Sequence, residues 1–223
     1  MAALPKNDES RILVIGDTHE PFCRKDYIDH CYKTYVDFEC SRVIHIGDVV
    51  DNHYCSYHET DPNGYGGEAE LQRAIDRVQD WVSVFPTMDV LIGNHDRLIS
   101  RKMNSSGVPK QWLRSYSEVL NTPNWNWCER VVYDDVQYVH GEGMGAAARA
   151  KADMMSTVQG HRHTECYVQH FTGNGKNIFA VQVGTGIDRD AYSFGYAKHF
   201  KRQALACAVI IGGHTAINCV MNT

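Results

Sequence analysis

Eight side chains able to bind metal or carry protons stand just beyond short apolar runs: Asp17, His19, Asp48, Asn94, His95, His140, His161 and His163. Each lies in or beside a glycine-containing block: Gly16-Asp17-Thr18-His19, Gly47-Asp48-Val49-Val50-Asp51, Gly93-Asn94-His95-Asp96, His140-Gly141 and Gly160-His161-Arg162-His163. Carboxylate, imidazole and amide oxygen are the mixed N/O donors that borderline divalent metals accept. There are too many for one ion. Two ions about 3.5–4 Å apart, sharing one carboxylate, would use them. Such a pair lowers the pKa of bound water. Taken singly, Asp17 and Asp48 also suit helix N-caps, and Asn94 to Asp96 suits a plain turn. The five blocks together weigh against those readings.

These residues need strands that end where the chemistry is. Arg11 to Ile15, Arg42 to Ile46 and Met88 to Ile92 read as buried strands, each stopped by glycine. Between them, Lys25 to Phe38 and Glu68 to Val84 show helical spacing, the second with Leu71, Ile75, Val78 and Val82 on one face. Strand and helix alternating in this way predict a parallel sheet, whose ligands gather past the carboxyl ends of its strands. Asp51 to Gly67 is a polar loop, and Arg97 to Leu120 reads as broken helix. The second half is richer in strands. Cys128 to Tyr133 and Val136 to His140 form a hairpin turning at Asp134-Asp135, and Met144 to Met155 is helical. Thr157 to Gln159, Cys166 to Phe171, Asn177 to Val183, Leu205 to Ile211 and Ala216 to Val220 follow as strands. A second sheet packed on the first is expected. With no repeat or linker, residues 1–223 read as a single domain.

In order and type, the blocks D-x-H, G-D-x-x-D, G-N-H-D, H-G and G-H-x-H resemble the calcineurin-like metallophosphoesterase superfamily. The resemblance implies an α/β fold of two packed mixed β-sheets flanked by helices. It implies two divalent cations, with Mn the first to try and Fe, Zn, Ni or Co as alternatives. One metal would be held by Asp17, His19, Asp48 and His163, the other by Asp48, Asn94, His140 and His161. A hydroxide shared by the metals would attack phosphorus in line. His95 would act as general acid, oriented by Asp51. Asp96 is left with a local task, shaping the turn or capping the segment after it. Three functions stay open: a hydrolase of nucleotide or other small phosphoesters, a DNA or RNA nuclease, and a non-catalytic scaffold of the same fold. The complete donor set weighs against the last.

The protein-phosphatase branch continues its second block with Arg-Gly, where this chain has Asn52-His53. An arginine clamp on phosphate from that position is therefore absent. Asn52, His53 and Arg97 are the candidate substrate contacts. Tyr54, Tyr57 and His58 share the loop and suit either a pocket wall or a solvated surface. His45 sits inside a strand and is expected in the core; His30, His170 and His199 carry no motif, and His214 suits a hairpin turn. The glycines after His140 lack the Gly-Lys-Ser/Thr ending of a phosphate-binding loop.

With 223 residues, 43% of them hydrophobic and 22% charged, the chain can bury a full core. Its net charge of −5 excludes polyanion binding driven by bulk charge. Charge is nevertheless uneven: from Arg97 to Tyr116 every charged residue is basic (Arg97, Arg101, Lys102, Lys110, Arg114), and Lys198 to Arg202 is a second basic run. Eight scattered cysteines, a polar N-terminus and no long apolar run lead to an expectation of a reduced, cytoplasmic protein without membrane contact.

Overall fold

A computed structural model describes residues 9–57, 61, 64–191 and 202–222. The first strand β1 (Arg11–Ile15), helix α1 (Tyr27–Asp37), β2 (Arg42–His45), helix α2 (Gly67–Val84) and β3 (Met88–Leu91) follow the expected alternation. Successive strand side chains point to opposite faces. Leu13 and Ile15 therefore pack with Tyr27, Cys31, Val78 and Trp81 of α1 and α2. Ile12 and Val14 face the other way, into a second core with Tyr138, Val158, Phe179 and Val181.

Those last residues belong to the second sheet. Its strands are β5 (Arg130–Tyr133), β6 (Val136–Val139), β7 (Ser156–Gln159), β8 (Tyr167–Gly173) and β9 (Lys176–Gln182), in the order β5-β6-β7-β9-β8. Helix α5 (Ala146–Asp153) covers its outer face through Ala146 and Ala150 against Ile178 and Ala180. The layers run helix, sheet, sheet, helix. The β5–β6 turn is made by Asp134 and Asp135, both at positive φ (50° and 59°), as a two-residue hairpin with right-handed twist requires.

Three expectations need correction. The segment from Cys128 to Tyr133 is not one strand. The chain crosses between sheets at Glu129: β4 (Trp125–Cys128) pairs in parallel with β3, and β5 begins the second sheet. Secondly, β10 (Ala206–Ile211) and β11 (Thr215–Val220) do not extend the second sheet. They return to the first as an antiparallel hairpin beside β1, giving the order β11-β10-β1-β2-β3-β4. Thirdly, the buried line of α2 is Glu70, Ala74, Val78 and Trp81, with Ile75 and Val82 flanking it.

Between β3 and β4 the broken helix resolves into α3 (Leu98–Ser105), a 3-10 turn at Lys110–Trp112 and α4 (Tyr116–Val119). His58, His199 and most of the 198–202 basic run lie outside the described residues. Among the described residues no helix is long and apolar enough to cross a membrane.

Candidate metal centre

The parallel strands β1, β2 and β3, and β6 and β7 of the facing sheet, all release their chains at one edge of the sandwich. Backbone bonds weld these exits together: Thr18 and His19 N–H donate to the Asp48 carbonyl at 3.2 and 2.9 Å, and Gly160 N–H donates to the His140 carbonyl at 3.1 Å. His19, Asp48, Asn52 and His161 adopt left-handed backbone (φ 48°, 50°, 52° and 69°). That conformation costs a non-glycine residue about 1–3 kcal/mol and gathers at functional sites. Two glycines give the carboxylates room. A Cβ on Gly93 would lie 2.0 Å from Asp48 Oδ1, and one on Gly160 would lie 2.2 Å from Asp17 Oδ1.

The expected ligands converge as two groups, and His19, Asp51 and His95 make a third beside them. Donor atoms of Asp17, His19, Asp48 and His163 lie within 4.8 Å of one another, as do those of Asp48, His140 and His161. Asn94 joins the second group, its Oδ1 3.0 Å from His140 Nε2. Asp48 is common to both, with Oδ2 at 3.5 Å from His19 Nε2 and 3.1 Å from His140 Nε2. Asp17 Oδ2 lies 3.1 Å from His163 Nε2 and accepts the His161 N–H at 2.8 Å.

Inward-facing atoms here demand positive charge. His140 Nδ1 donates to the Ile46 carbonyl at 3.1 Å, so in the neutral ring Nε2 is a bare lone pair, yet it faces two oxygens. His19 Nδ1 donates to Asp51 Oδ1 at 2.6 Å, and its Nε2 faces His163 Nε2 at 3.2 Å. Asp17 Oδ1 and Asp48 Oδ2 are buried and accept no hydrogen bond. The strain shows in the ionisation. Burial lowers His19 and His140, but neighbouring carboxylates outweigh it, raising them to about 10 and about 9. Burial raises Asp17 and Asp48, but the surrounding histidines outweigh it and both end lowered. Lone pairs crowded against unbonded carboxylate oxygens are the kind of donor set divalent cations satisfy.

His95 stands beside this cluster, its ring 4.4 Å from that of His19. Its Nδ1 donates to the Asp51 backbone carbonyl at 2.7 Å, and the Asp51 carboxylate is 3.3 Å away. The expected Asp51–His95 pairing is thus divided: the carboxylate makes its short bond to His19. Burial and His19 lower the His95 pKa, whereas Asp48 and Asp51 raise it, and the net shift is upward.

The three candidate substrate residues are placed differently from one another. Asn52 donates its amide to the His95 carbonyl at 3.1 Å, bracing the loop. His53 is buried, its Nδ1 3.9 Å from Asp51. Arg97 turns its guanidinium to Glu129 and Glu142, the second at 2.6 Å.

One residue given only a local task by the sequence, and two it passed over, also shape the site. Asp96 does more than form a turn. Its Oδ2 accepts from Gly93 N–H at 2.8 Å, and its Oδ1 reaches across to accept from Val49 and Val50 N–H at 3.0 and 3.2 Å. Glu70 of α2 accepts from His53 N–H at 2.7 Å. Glu20, wholly buried, accepts from Trp81 Nε1 at 2.8 Å and pairs with Arg77. One signal existed for the last two: a carboxylate at an otherwise apolar helix position, or next to a block, with a partner one helix away.

A paired-strand sandwich carrying Asp, His and Asn donors at its strand exits defines a metal-dependent phosphoesterase fold. The model of the calcineurin-like phosphoesterases matches residues 10–218, and the chain belongs to that family. Among solved structures, an archaeal phosphodiesterase is 15% identical, with a TM-score of 0.51 over 95% of this chain and 99% of that one. A metallophosphoesterase from Sphaerobacter thermophilus is 13% identical (TM-score 0.48, 96% and 89% covered). Vacuolar protein sorting 29 from Cryptosporidium parvum is likewise 13% identical (TM-score 0.46, 96% and 99% covered). No curated protein matches the chain in sequence.

Proposed function

We propose that this protein hydrolyses phosphodiesters of nucleotides or other small phosphoesters at a centre of two divalent cations. The observation that carries this reading is the shared carboxylate: Asp48 belongs to both donor groups. Asp17, His19, Asp48 and His163 would hold one ion, and Asp48, Asn94, His140 and His161 the other. Bound there, the cations supply a nucleophile at neutral pH and offset charge building on the phosphoryl oxygens.

The remaining work falls to the chain. With Nδ1 tied to the Asp51 carbonyl, His95 presents Nε2 to the substrate side. Protonated, that atom gives its proton to the departing oxygen, which otherwise leaves poorly as an alkoxide. Against burial and His19, the Asp48 and Asp51 carboxylates favour the charged form of that ring. The Asp51 carboxylate steadies that charge and also fixes the ring of His19. Asn52 and Asp96 hold the two loops in register.

A diester fits better than a monoester. A monoester carries one more negative charge and calls for a cationic side chain beside the metals. Here Asn52-His53 replace the arginine, and Arg97 and Arg162 are already paired with Glu129, Glu142 and Glu165. The test is turnover with Mn²⁺ on bis-p-nitrophenyl phosphate against p-nitrophenyl phosphate. Faster diester hydrolysis is expected. No turnover on either with Mn²⁺, Ni²⁺, Co²⁺ or Zn²⁺ would refute the reading.

A further inference from the structure

The segment leaving the metal centre after His95 is chemically unlike the rest of this acidic chain. From Arg97 to Tyr116 there are five cations and no carboxylate, in a protein of net charge −5. Arg97 is spent on Glu129 and Glu142. Among the described residues, none of Arg101, Lys102, Lys110 and Arg114 pairs with a carboxylate. Arg11, Arg24, Arg42, Arg77 and Arg162 do, whereas Arg73, Arg130, Arg149 and Lys151 also go without one among the described residues, so what sets the four apart is their grouping on one carboxylate-free segment.

Aromatic rings are interleaved with those cations. Tyr57, in the loop that follows Asn52, has 56% of its surface exposed. Lys102 Nζ stands 4.2 Å and Arg101 Cζ 5.2 Å from its ring centre. Lys102 also donates to the Ser56 carbonyl, joining α3 to that loop. Farther along, Trp112 is 79% exposed between Lys110 and Arg114. An indole that exposed removes little apolar area from water and so adds little to the fold's stability.

Both elements start at the centre. Leu98 N–H donates to the His95 carbonyl, and the Asn52 amide donates to the same oxygen. The basic, aromatic segment is thus anchored at both ends beside His95, for Tyr116 Oη also donates to the Asp96 carbonyl at 3.2 Å. We infer that this surface guides a single-stranded polynucleotide, whose phosphates meet Arg101, Lys102, Lys110 and Arg114 and whose unpaired bases stack on Tyr57 and Trp112. Cations following a backbone, with rings between them, are what single-strand binding uses. The inference rests on the phosphodiester reading of the centre and narrows its substrate to a strand longer than a nucleotide.

Two parallel measurements test it. The first is fluorescence anisotropy of a labelled 12-nucleotide oligodeoxythymidylate; the second is bis-p-nitrophenyl phosphate turnover. Four phosphate contacts give a log–log salt slope of about −2.8, so binding should weaken about 600-fold from 25 to 250 mM salt. The double variants Arg101→Glu/Lys102→Glu and Lys110→Glu/Arg114→Glu should each lose at least about tenfold in affinity and flatten the slope. Trp112→Ala should lose about fivefold or more with its charge intact. Thermal midpoints identify any variant that fails to fold. Oligonucleotide binding that is absent at 25 mM salt, or unchanged by both charge reversals, overturns the inference. Displacement by polyglutamate as effective as by unlabelled oligonucleotide also overturns it, in favour of an acidic protein partner. Diester turnover without strand binding removes this inference and leaves the proposed function standing. Strand binding without turnover on any diester removes the proposed function, and with it the claim that the strand is a substrate.

Discussion

Asp96 is where a change of one atom should report on the whole site. Its carboxylate accepts three buried N–H groups, from Gly93 in its own loop and from Val49 and Val50 in the loop of Asp48. Replacing it by alanine leaves those donors buried without a partner. Each costs roughly 1–3 kcal/mol, partly recovered if water enters, so a loss of about 3–5 kcal/mol is expected. That is a large part of the roughly 5–15 kcal/mol typical of a whole domain. Asp96→Asn is gentler. Its amide oxygen can still serve one loop, but its NH₂ must then face an N–H on the other, and about 1–3 kcal/mol should go. Urea unfolding in EDTA measures both. Amide hydrogen exchange at Val49 and Val50 gives the decisive reading, because a residue that only shaped its own turn would leave those two amides untouched. Faster exchange at both is expected in Asp96→Asn. Unchanged exchange there, with stability within about 0.5 kcal/mol of the parent, would refute the cross-loop clamp.

Other consequences follow from the same geometry. His95→Ala should lower diester turnover by about 10²–10⁴-fold while two metals stay bound. A metal count falling with activity would mark His95 as a ligand. Gly93→Ala would place a methyl 2.0 Å from Asp48 Oδ1 and should abolish tight metal binding at both groups, read by calorimetry; unaltered binding would contradict the close approach. Burial raises Glu20 to about 7 against the pull of Arg77 and Trp81. The folded form therefore keeps a proton that the unfolded form sheds near pH 4.5, and stability drains away as pH rises from there through 7. Glu20→Gln should remove that slope, on the order of 3 kcal/mol, in pH-dependent thermal melts with EDTA; parallel curves for the two proteins would show the slope comes from elsewhere.

Much of this was legible in the chain because burial and spacing are local signals. The β-branched runs of β1, β2 and β3, each ended by glycine, place Asp17, Asp48 and Asn94 at one edge before any coordinate is known. What escaped was long-range. Trp125-Asn126-Trp127-Cys128 carries too little of the β-branched pattern to announce β4, and a jump between sheets at Glu129 leaves no periodicity to read. The return of β10 and β11 to the first sheet is a pairing of residues almost two hundred positions apart, such as Arg11 with Ile211. Trp81 and Glu70 share helical spacing with Ala74 and Val78, but a charged residue and an indole there are explained only by what they meet, the His53 amide and the Glu20 carboxylate. Asp51 and Asp96 look like companions of one histidine and one turn, and each serves two partners.

The central claim is a pair of cations joined by Asp48. The most direct measurement is the metal content of the protein after Mn²⁺ loading and gel filtration, compared with Asp48→Asn. Two ions per chain are predicted for the parent, with both weakened together in the variant. A single ion in the parent, or a variant that loses one and keeps the other at full affinity, would contradict the account.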